Sequence, residues 1–358
     1  MKLLMLADGR SVHSARYLAE MKRNGVEITM ASLEPGEPVD KNLKRISGIN
    51  FLDYLLCAGE ISRLAKVLKP DIINPHFASG YGFSTAFAGL HSRFPVILHC
   101  LGSDILISPT KSALHRARVR YALKQSDHII VDSAYLGEQV RGLGYREDIA
   151  IIPWGLEDEY FLLFEKKIAD KPFDSTPLKI IVPRPHNKIY NNRFIIESLA
   201  GILKKGNLII TFPDWGDEVS IFREAVERLG IGEAVRFYGR LSRKEFIPYY
   251  ASFDIYLSAS LSDSSPASLL EAMGIGLFPI VADIPGVREW VGKTNGVLFD
   301  PRDPASLQGA VEKLLNDSYP VEKILESNHR MAASKARFSD NIAATIKVME
   351  RIIARRAG

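Results

Sequence analysis

The chain has 358 residues, of which 46% are apolar and 25% charged, and its formal net charge is +4. This length and composition predict a globular protein of two domains, each with its own core. The charge suits a phosphorylated substrate or an anionic lipid surface but is too small for nucleic-acid binding. Cys57 and Cys100 cannot form a disulfide framework or a zinc site, which favours a cytoplasmic location. No apolar run reaches the roughly 18 residues that a membrane span requires.

The first half alternates short apolar strands with amphipathic helices, a pattern that predicts a parallel sheet covered by helices. The apolar start is too short for a signal peptide, and we interpret it as the first strand. The predicted strands are residues 3–6, 27–32, 72–74, 96–99, 128–131 and 149–152, with helices at 14–22 and 61–68.

The alternation restarts after residues 166–178, which are rich in Lys, Asp and Pro and which we interpret as a linker. Apolar residues at helical spacing between 338 and 353 predict a final amphipathic helix. The sequence therefore predicts an α/β fold with two Rossmann-like domains. The later predicted strands are residues 179–182, 207–212, 235–238, 253–257, 278–282 and 297–299, with helices at 193–203 and 303–316.

The turn after the first predicted strand, Asp8-Gly9-Arg10-Ser11, lies where open α/β sheets bind ligands. It lacks the Gly-x-Gly-x-x-Gly pattern, so a nicotinamide-dinucleotide site has little support. His13 follows it and is either a surface side chain or a ligand contact. His76 and His99, near later strand ends, are each either a hydrogen-bonded structural histidine or a substrate contact.

In the second half, Arg184 and Lys188 follow the first predicted strand of the domain. Two cations at such a turn can stabilise negative charge on a bound ligand. Arg suits phosphate oxygens as a bidentate donor, and Lys acts as a point charge. For either residue alone, a surface cation beside a turn is the simpler interpretation.

A strand-to-helix turn at residues 253–274 contains the densest set of candidate residues. We expect Ser265 to cap a short helix, Pro266 to take its first position and Gly274 to end it. The backbone N–H groups of residues 267–269 would then face an anion. Asp263 lies just before the cap, and Glu271 lies on the same helix face as Ala267 and Ser268. Either residue could instead be an ordinary solvated carboxylate.

The Asp263-x7-Glu271 pair resembles the Glu-x7-Glu signature of the retaining glycosyltransferases of family 4 (group 1), which have the GT-B fold. The following segment, residues 276–283 with Gly286 and Glu289, matches that family's next strand and turn. Residues 76–78 resemble its His-Phe-Ala turn and residues 99–104 its His-Gly-Ser-Asp turn. The chain departs from the family pattern at Asp263, where Glu is usual, and at Leu101, where His is frequent.

The resemblance implies two Rossmann-like domains that face a central cleft. An acceptor-binding domain would take residues 1–168, with 339–358 crossing back to it, and a donor-binding domain residues 169–338. The donor would be a nucleoside-diphosphate sugar, and no metal or cofactor is expected.

The family's site also transfers residue by residue. Arg184 and Lys188 would clamp the pyrophosphate, Glu271 would accept ribose hydroxyls, and Asp263 would accept a hydroxyl of the donor sugar. These four would be the catalytic residues. The other implied donor contacts are Gly9, Gly239, Ser265, Ala267, Ser268 and Leu269, and the implied acceptor-side residues are His13, His76, His99 and Asp104.

The implied reaction is transfer of a sugar, with retention of configuration, to a hydroxyl of a glycan or lipid-linked glycan in cell-surface polysaccharide biosynthesis. The departures at Asp263 and Leu101 leave open a non-catalytic sugar-nucleotide or glycan-binding protein. An epimerase of the same fold is a further alternative. A basic segment at residues 115–124 and Arg351, Arg355 and Arg356 are either solvated helix faces or a peripheral contact with the inner face of a membrane.

Overall fold

The computed structural model describes residues 1–47, 50–169, 173, 176–316 and 319–357. Its contacts divide the chain into two compact units, Met1–Pro153 with Ser339–Gly358, and Trp154–Phe338. Each unit has a sheet of its own, and every strand pairing among the described residues is parallel. The predicted α/β class with two parallel-sheet domains is confirmed.

The first unit contains two sheet segments, ordered β3-β2-β1-β4 and β5-β6-β7. Single parallel bridges, Ile73 to Val96 and His76 to His99, connect the segments between β4 and β5. The chain order therefore reverses between β1 and β4, which makes the carboxyl ends of these two strands a ligand-binding position. The strands are β1 (Lys2–Leu6), β2 (Glu27–Ser32), β3 (Lys41–Asn42), β4 (Ile72–Pro75), β5 (Ile97–Cys100), β6 (His128–Val131) and β7 (Ile149–Ile151).

Helices of the first unit bury their apolar faces against this sheet. In α3, Ile61 and Ala65 are fully buried, whereas Val67 on the opposite face is exposed. The helices are α1 (Val12–Arg23), α2 (Asn50–Leu56), α3 (Ala58–Leu68), α4 (Phe83–Phe87), α5 (Ser103–Leu106), α6 (Ala113–Lys124) and α7 (Ala134–Gly142).

The second unit has one six-stranded sheet, ordered β10-β9-β8-β11-β12-β13. Its order reverses between β8 and β11, so the loops that follow these two strands meet at one edge. The central strands are buried on both faces, as parallel strands between helix layers must be. The strands are β8 (Leu178–Ile181), β9 (Leu208–Pro213), β10 (Val235–Tyr238), β11 (Ile255–Ser258), β12 (Phe278–Ala282) and β13 (Val297–Phe299).

The helices around this sheet are α8 (Asp158–Leu162), α9 (Phe164–Ala169), α10 (Asn192–Leu203), α11 (Val219–Leu229), α12 (Arg243–Ala251), α13 (Ala267–Ile275), α14 (Pro285–Arg288), α15 (Pro304–Leu315) and α16 (Val321–Lys335). The last helix, α17 (Phe338–Ala357), lies in the first unit from Ser339 onward. No helix within the described part of the chain is both long and apolar enough to cross a membrane.

The boundary between the units lies before the linker that the sequence indicated. The sequence ends the first domain at residue 168, whereas the contacts end the first unit at Pro153. The reason is that α8 and α9 bury Tyr160, Phe161 and Phe164 in the core of the second unit. Lys167 forms a buried ion pair there with Asp254 at 3.4 Å, which fixes α9 at the start of β11. A polar composition around residue 167 therefore concealed a packed helix.

Candidate active site

The carboxyl edge of the second-unit sheet brings Arg184 and Asp263 together. Arg184 follows β8 and Asp263 follows β11, and these strands are neighbours at the reversal of strand order. Their side chains form an ion pair and are only 16% and 18% exposed. Burial lowers the pKa of Arg184, the Asp263 charge raises it, and the net direction is upward. The guanidinium also lies 5.1 Å from the ring centroid of Tyr190.

This pairing changes the expected division of roles. The sequence assigned Arg184 to a pyrophosphate and Asp263 to a sugar hydroxyl, but here each is the other's partner. Because Asp263 neutralises the buried guanidinium, the positive charge that remains for an anion comes largely from elsewhere. Lys188, on the short helical turn Lys188–Tyr190, is exposed and so accessible to an anion.

Helix α13 begins later than the sequence indicated. The prediction that Ser265 caps it was wrong: the cap position is Pro266, the helix runs from Ala267 to Ile275, and Gly276 at φ +97° ends it instead of Gly274. The Ser265 hydroxyl instead accepts a hydrogen bond from the Trp290 indole at 3.1 Å. The indole thus competes for the oxygen that would have capped the helix.

The free donors at the start of α13 are fewer than expected. The N–H of Leu269 donates to the Pro266 carbonyl at 3.0 Å, so Leu269 is wrong as an anion donor. Among the described residues the N–H groups of Ala267 and Ser268 have no protein acceptor, and both residues are partly exposed. Ser268 is held by Tyr256, whose hydroxyl lies 3.1 Å from the Ser268 hydroxyl. Two N–H groups therefore remain available for an anion.

Glu271 lies one turn into α13, on the same face as Ala267 and Ser268. Its carboxylate is half-buried and accepts a hydrogen bond at 2.9 Å from the hydroxyl of Tyr160, on α8. Sequence reasoning missed Tyr160, because the segment around it was assigned to the other domain. Gly239 follows β10 at the same sheet edge, is exposed and has open space beside it.

The loop that carries Asp263 is fixed by α14. A Cβ on Gly286 would lie 2.2 Å from the Ser264 carbonyl oxygen and 2.5 Å from that of Asp263, so only glycine fits. Trp290 holds Ser265 from the same side. Gly286 belongs to the segment that the resemblance matched after the acidic pair, and its close approach to residues 263 and 264 explains why glycine is needed there.

In the first unit, Gly9 contacts the chain itself. It is buried, its N–H donates to the Ser32 hydroxyl at 3.0 Å, and an added Cβ would lie 2.3 Å from the Glu34 carbonyl oxygen. Gly36 also packs closely on Gly9, since a Cβ on Gly36 would lie 2.0 Å from the Gly9 carbonyl oxygen. The close approach predicted at Gly9 is therefore made by the protein backbone, and nothing in the packing requires a donor there.

Both candidate histidines near the strand ends are buried around Asn74. The Asn74 amide donates to the Ile97 carbonyl at 2.7 Å and to His99 Nδ1 at 2.9 Å. Its oxygen accepts from the Tyr17 hydroxyl and from His76 Nε2, both at 3.1 Å. With this Asn orientation both rings carry their proton on Nε2. His76 and His99 thus match the alternative of hydrogen-bonded structural histidines. Asn74, which connects them, is a polar residue that the sequence analysis did not single out.

Burial keeps both rings neutral. It lowers the pKa of His76 well below the usual value, with His99 adding to the effect, and lowers the pKa of His99 to about 3. Asp104 is also buried, and this raises its pKa to about 6, although backbone N–H groups partly offset the rise. Its carboxylate accepts from the N–H of Ala78 at 2.7 Å and of Leu101 at 3.1 Å. Asp104 therefore fastens two turns together, while His13 lies exposed on α1.

We expect His99→Gln to reduce the acid sensitivity of folding. Below pH 6.5 the ring of His99 binds a proton in the unfolded chain, but the buried ring stays neutral down to its folded pKa of about 3. The free energy of unfolding therefore decreases as the pH is lowered from 6.5 to about 3. From pH 7 to pH 5 this residue should remove about 2 kcal/mol of unfolding free energy, a loss that Gln avoids. Urea unfolding at both pH values measures it, with His115→Gln as control. Parallel pH dependence in wild type and His99→Gln would contradict the burial of a neutral ring.

The fold and the site together define the GT-B class of sugar-nucleotide proteins. The fold contributes two parallel-sheet units, and the site at the carboxyl edge contains a paired Arg and Asp, free helix N–H groups and a helical Glu. The Glycosyl transferase 4-like family matches residues 2–133. The family named Glycosyl transferases group 1 matches residues 164–337. The chain belongs to these group 1 glycosyltransferases, an enzyme family, and the resemblance drawn from Asp263 and Glu271 is confirmed.

Two curated relatives are similar over most of the chain. TuaC of Bacillus subtilis (strain 168), named as a teichuronic acid biosynthesis glycosyltransferase, is 21% identical over 69% of this chain and 61% of its own length. The sulfoquinovosyl transferase SQD2 of Arabidopsis thaliana is 26% identical over 84% of this chain and 62% of its length. The chain thus spans about three fifths of the length of these relatives.

Solved structures share the fold at low identity. Sucrose-phosphate synthase from Thermosynechococcus elongatus aligns over 99% of this chain and 100% of its own, with a TM-score of 0.82 and 13% identity. HepE of Anabaena, solved with UDP and glucose, aligns over 98% and 100%, with a TM-score of 0.80 and 17% identity. These likenesses confirm the GT-B fold.

Proposed function

We propose that the protein is a retaining glycosyltransferase that moves a sugar from a nucleoside-diphosphate sugar to a hydroxyl of a glycan or lipid-linked glycan. The observation that carries this proposal is the cluster at the carboxyl edge of the second-unit sheet, where Arg184, Asp263 and Glu271 surround the start of α13. HepE, with UDP and glucose bound, supports a nucleoside diphosphate as donor. TuaC supports a polymer of the cell surface as product, and a cytoplasmic reaction is part of the proposal.

The chemistry assigned to these residues is stabilisation of the leaving group. The bond between the sugar C1 and the phosphate oxygen breaks, and its electron pair stays on the diphosphate. A new bond forms from C1 to the acceptor oxygen on the same face, and the acceptor proton passes to a phosphate oxygen. Lys188 and the two N–H groups at the start of α13 face the growing charge, and Arg184 adds to them as far as Asp263 permits. We propose that no metal is needed.

A donor-hydrolysis assay tests this function. We expect UDP-glucose, GDP-mannose or ADP-glucose to release its nucleoside diphosphate slowly when water replaces the acceptor, with excess EDTA present throughout. Binding without release would favour the non-catalytic sugar-nucleotide protein. A sugar converted to its epimer without an acceptor would favour the epimerase. Release that EDTA abolishes and magnesium restores would contradict the proposed metal independence.

The exposed face of α6 supports a peripheral membrane contact. Arg116, Arg120 and Lys124 are exposed at intervals of four residues, and Leu114 and Tyr121 are 59% and 39% exposed beside them. Arg118 does not belong to this face, because it is buried and donates to the Ser79 carbonyl at 2.8 Å. Cations beside exposed apolar side chains are typical of surfaces that bind anionic lipid.

We expect the protein to sediment with vesicles of phosphatidylcholine and phosphatidylglycerol but not with phosphatidylcholine alone. Arg116→Glu with Arg120→Glu should reduce the bound fraction several-fold, since each cation near an anionic surface contributes about 1 kcal/mol. Lys323→Glu, an exposed cation in the second unit, is the control. Equal sedimentation of both variants would exclude α6 as the contact.

A further inference from the structure

The carboxylate of Glu271 is held by a side chain from outside its own helix. The hydroxyl of Tyr160 donates to Glu271 Oε1 at 2.9 Å, and Tyr160 as a residue is 3% exposed. Helix α8, which carries Tyr160, packs directly against α13. Leu156 and Phe161 approach Gly274 so closely that an added Cβ there would lie 3.0 and 3.4 Å from them. The position of the phenol relative to α13 is therefore tightly defined.

Tyr160 also contacts Arg243, the first residue of α12. The Arg243 guanidinium lies 5.4 Å from the centroid of the Tyr160 ring, in a cation–π arrangement. It also forms ion pairs with Glu157, which precedes α8, and with Glu159 at 3.4 Å. Arg243 thus ties α8 to α12 and keeps the Tyr160 ring from turning away from Glu271.

We propose that Tyr160 is a positioning residue that orients Glu271 toward the ribose of the nucleotide. This inference rests on the proposed function and on the role that the resemblance implies for Glu271, as acceptor of the ribose hydroxyls. A carboxylate has about four acceptor sites, so a bond from a phenol restricts its rotation without using all of them. Hydrogen bonds to an ionised oxygen are strong and directional, which suits this role.

The ring and the hydroxyl of Tyr160 have separable roles. The ring fills the core between α8 and α13 and receives the Arg243 cation, and phenylalanine would do both. The hydroxyl donates the bond to Glu271. Tyr160→Phe therefore keeps the packing and removes the orientation of the carboxylate.

The test is the discrimination between ribose and deoxyribose. Titration calorimetry would compare UDP, GDP and ADP with their 2′-deoxy analogues, in wild type and in Tyr160→Phe. We expect wild type to bind at least one ribonucleotide about tenfold more tightly than its analogue, and Tyr160→Phe to reduce that ratio at least threefold. The double variant Tyr160→Phe with Glu271→Ala should discriminate no less than Glu271→Ala alone, because the two residues act as one unit.

Tyr250→Phe is the matched control. The Tyr250 hydroxyl donates at 2.8 Å to the carbonyl of Ser268, which lies on α13 like Glu271. It should leave the ribose-to-deoxyribose ratio unchanged. Wild-type discrimination that survives in Tyr160→Phe would overturn the role of Tyr160 and leave the proposed function intact. A wild type that binds none of these nucleotides would contradict the proposed function. A wild type that binds them but does not discriminate would overturn the ribose role of Glu271 and this inference with it. An equal loss of the ratio in Tyr250→Phe would also overturn the role of Tyr160, because the effect would then come from the packing of α13 and not from the bond to Glu271.

Discussion

Glu271→Ala should lower kcat/KM for the donor by a factor of about 100 or more while the protein remains folded. Charge-assisted hydrogen bonds from the ribose hydroxyls to this carboxylate would be lost, and a factor of 100 corresponds to about 2.7 kcal/mol. Glu271→Gln keeps the size of the side chain and one acceptor oxygen. Its kcat/KM should therefore lie between the values of Glu271→Ala and wild type. The measurement is steady-state donor hydrolysis together with a thermal melt.

Glu224→Ala provides the control for this variant, because Glu224 is exposed on α11. We expect its kcat/KM to equal that of wild type. A Glu271→Ala protein that turns over normally would make Glu271 an ordinary helix carboxylate. A collapse of the melting temperature would instead assign Glu271, with Tyr160, to the stability of the second unit.

Asp263→Asn should separate catalysis from diphosphate binding. The carboxylate neutralises Arg184 in the folded protein, and removing its charge takes a repulsive group away from the anion site. The variant should therefore bind free UDP no more weakly than wild type does. Its kcat/KM should nevertheless fall by about 100-fold if Asp263 also accepts a sugar hydroxyl in the transition state.

Discrimination between UDP-glucose and UDP-galactose gives a second measurement on the same protein. A site that hydrogen-bonds one particular hydroxyl rejects the epimer far more strongly than a difference of shape alone would. The ratio of kcat/KM values for the two donors should move toward one in Asp263→Asn and stay fixed in Asp300→Asn, an exposed carboxylate after β13. If UDP affinity collapses and the ratio does not move, Asp263 serves only to hold Arg184.

The strands were largely predictable because their pattern is local. Runs such as residues 128–131 and 278–282 agree residue for residue with β6 and β12. A buried parallel strand is nearly all apolar and is bounded by turn residues, and a single sequence contains that information. The start of α13 was misjudged because Trp290, 25 residues away, takes the Ser265 oxygen.

The sequence by itself determined the α/β class, the restart of the strand-helix pattern in a second domain, and the family. The family could be recognised because Asp263 and Glu271 lie in one turn and the helix that follows it, so their spacing is a local feature. Only the tertiary structure decided how these residues are partnered. Arg184 meets Asp263 because β8 and β11 are neighbours in the sheet, although they are far apart in the chain. Tyr160 reaches Glu271 because α8 packs in the second unit. Strand order and the packing of α8 depend on long-range burial, and no local pattern of residues records it.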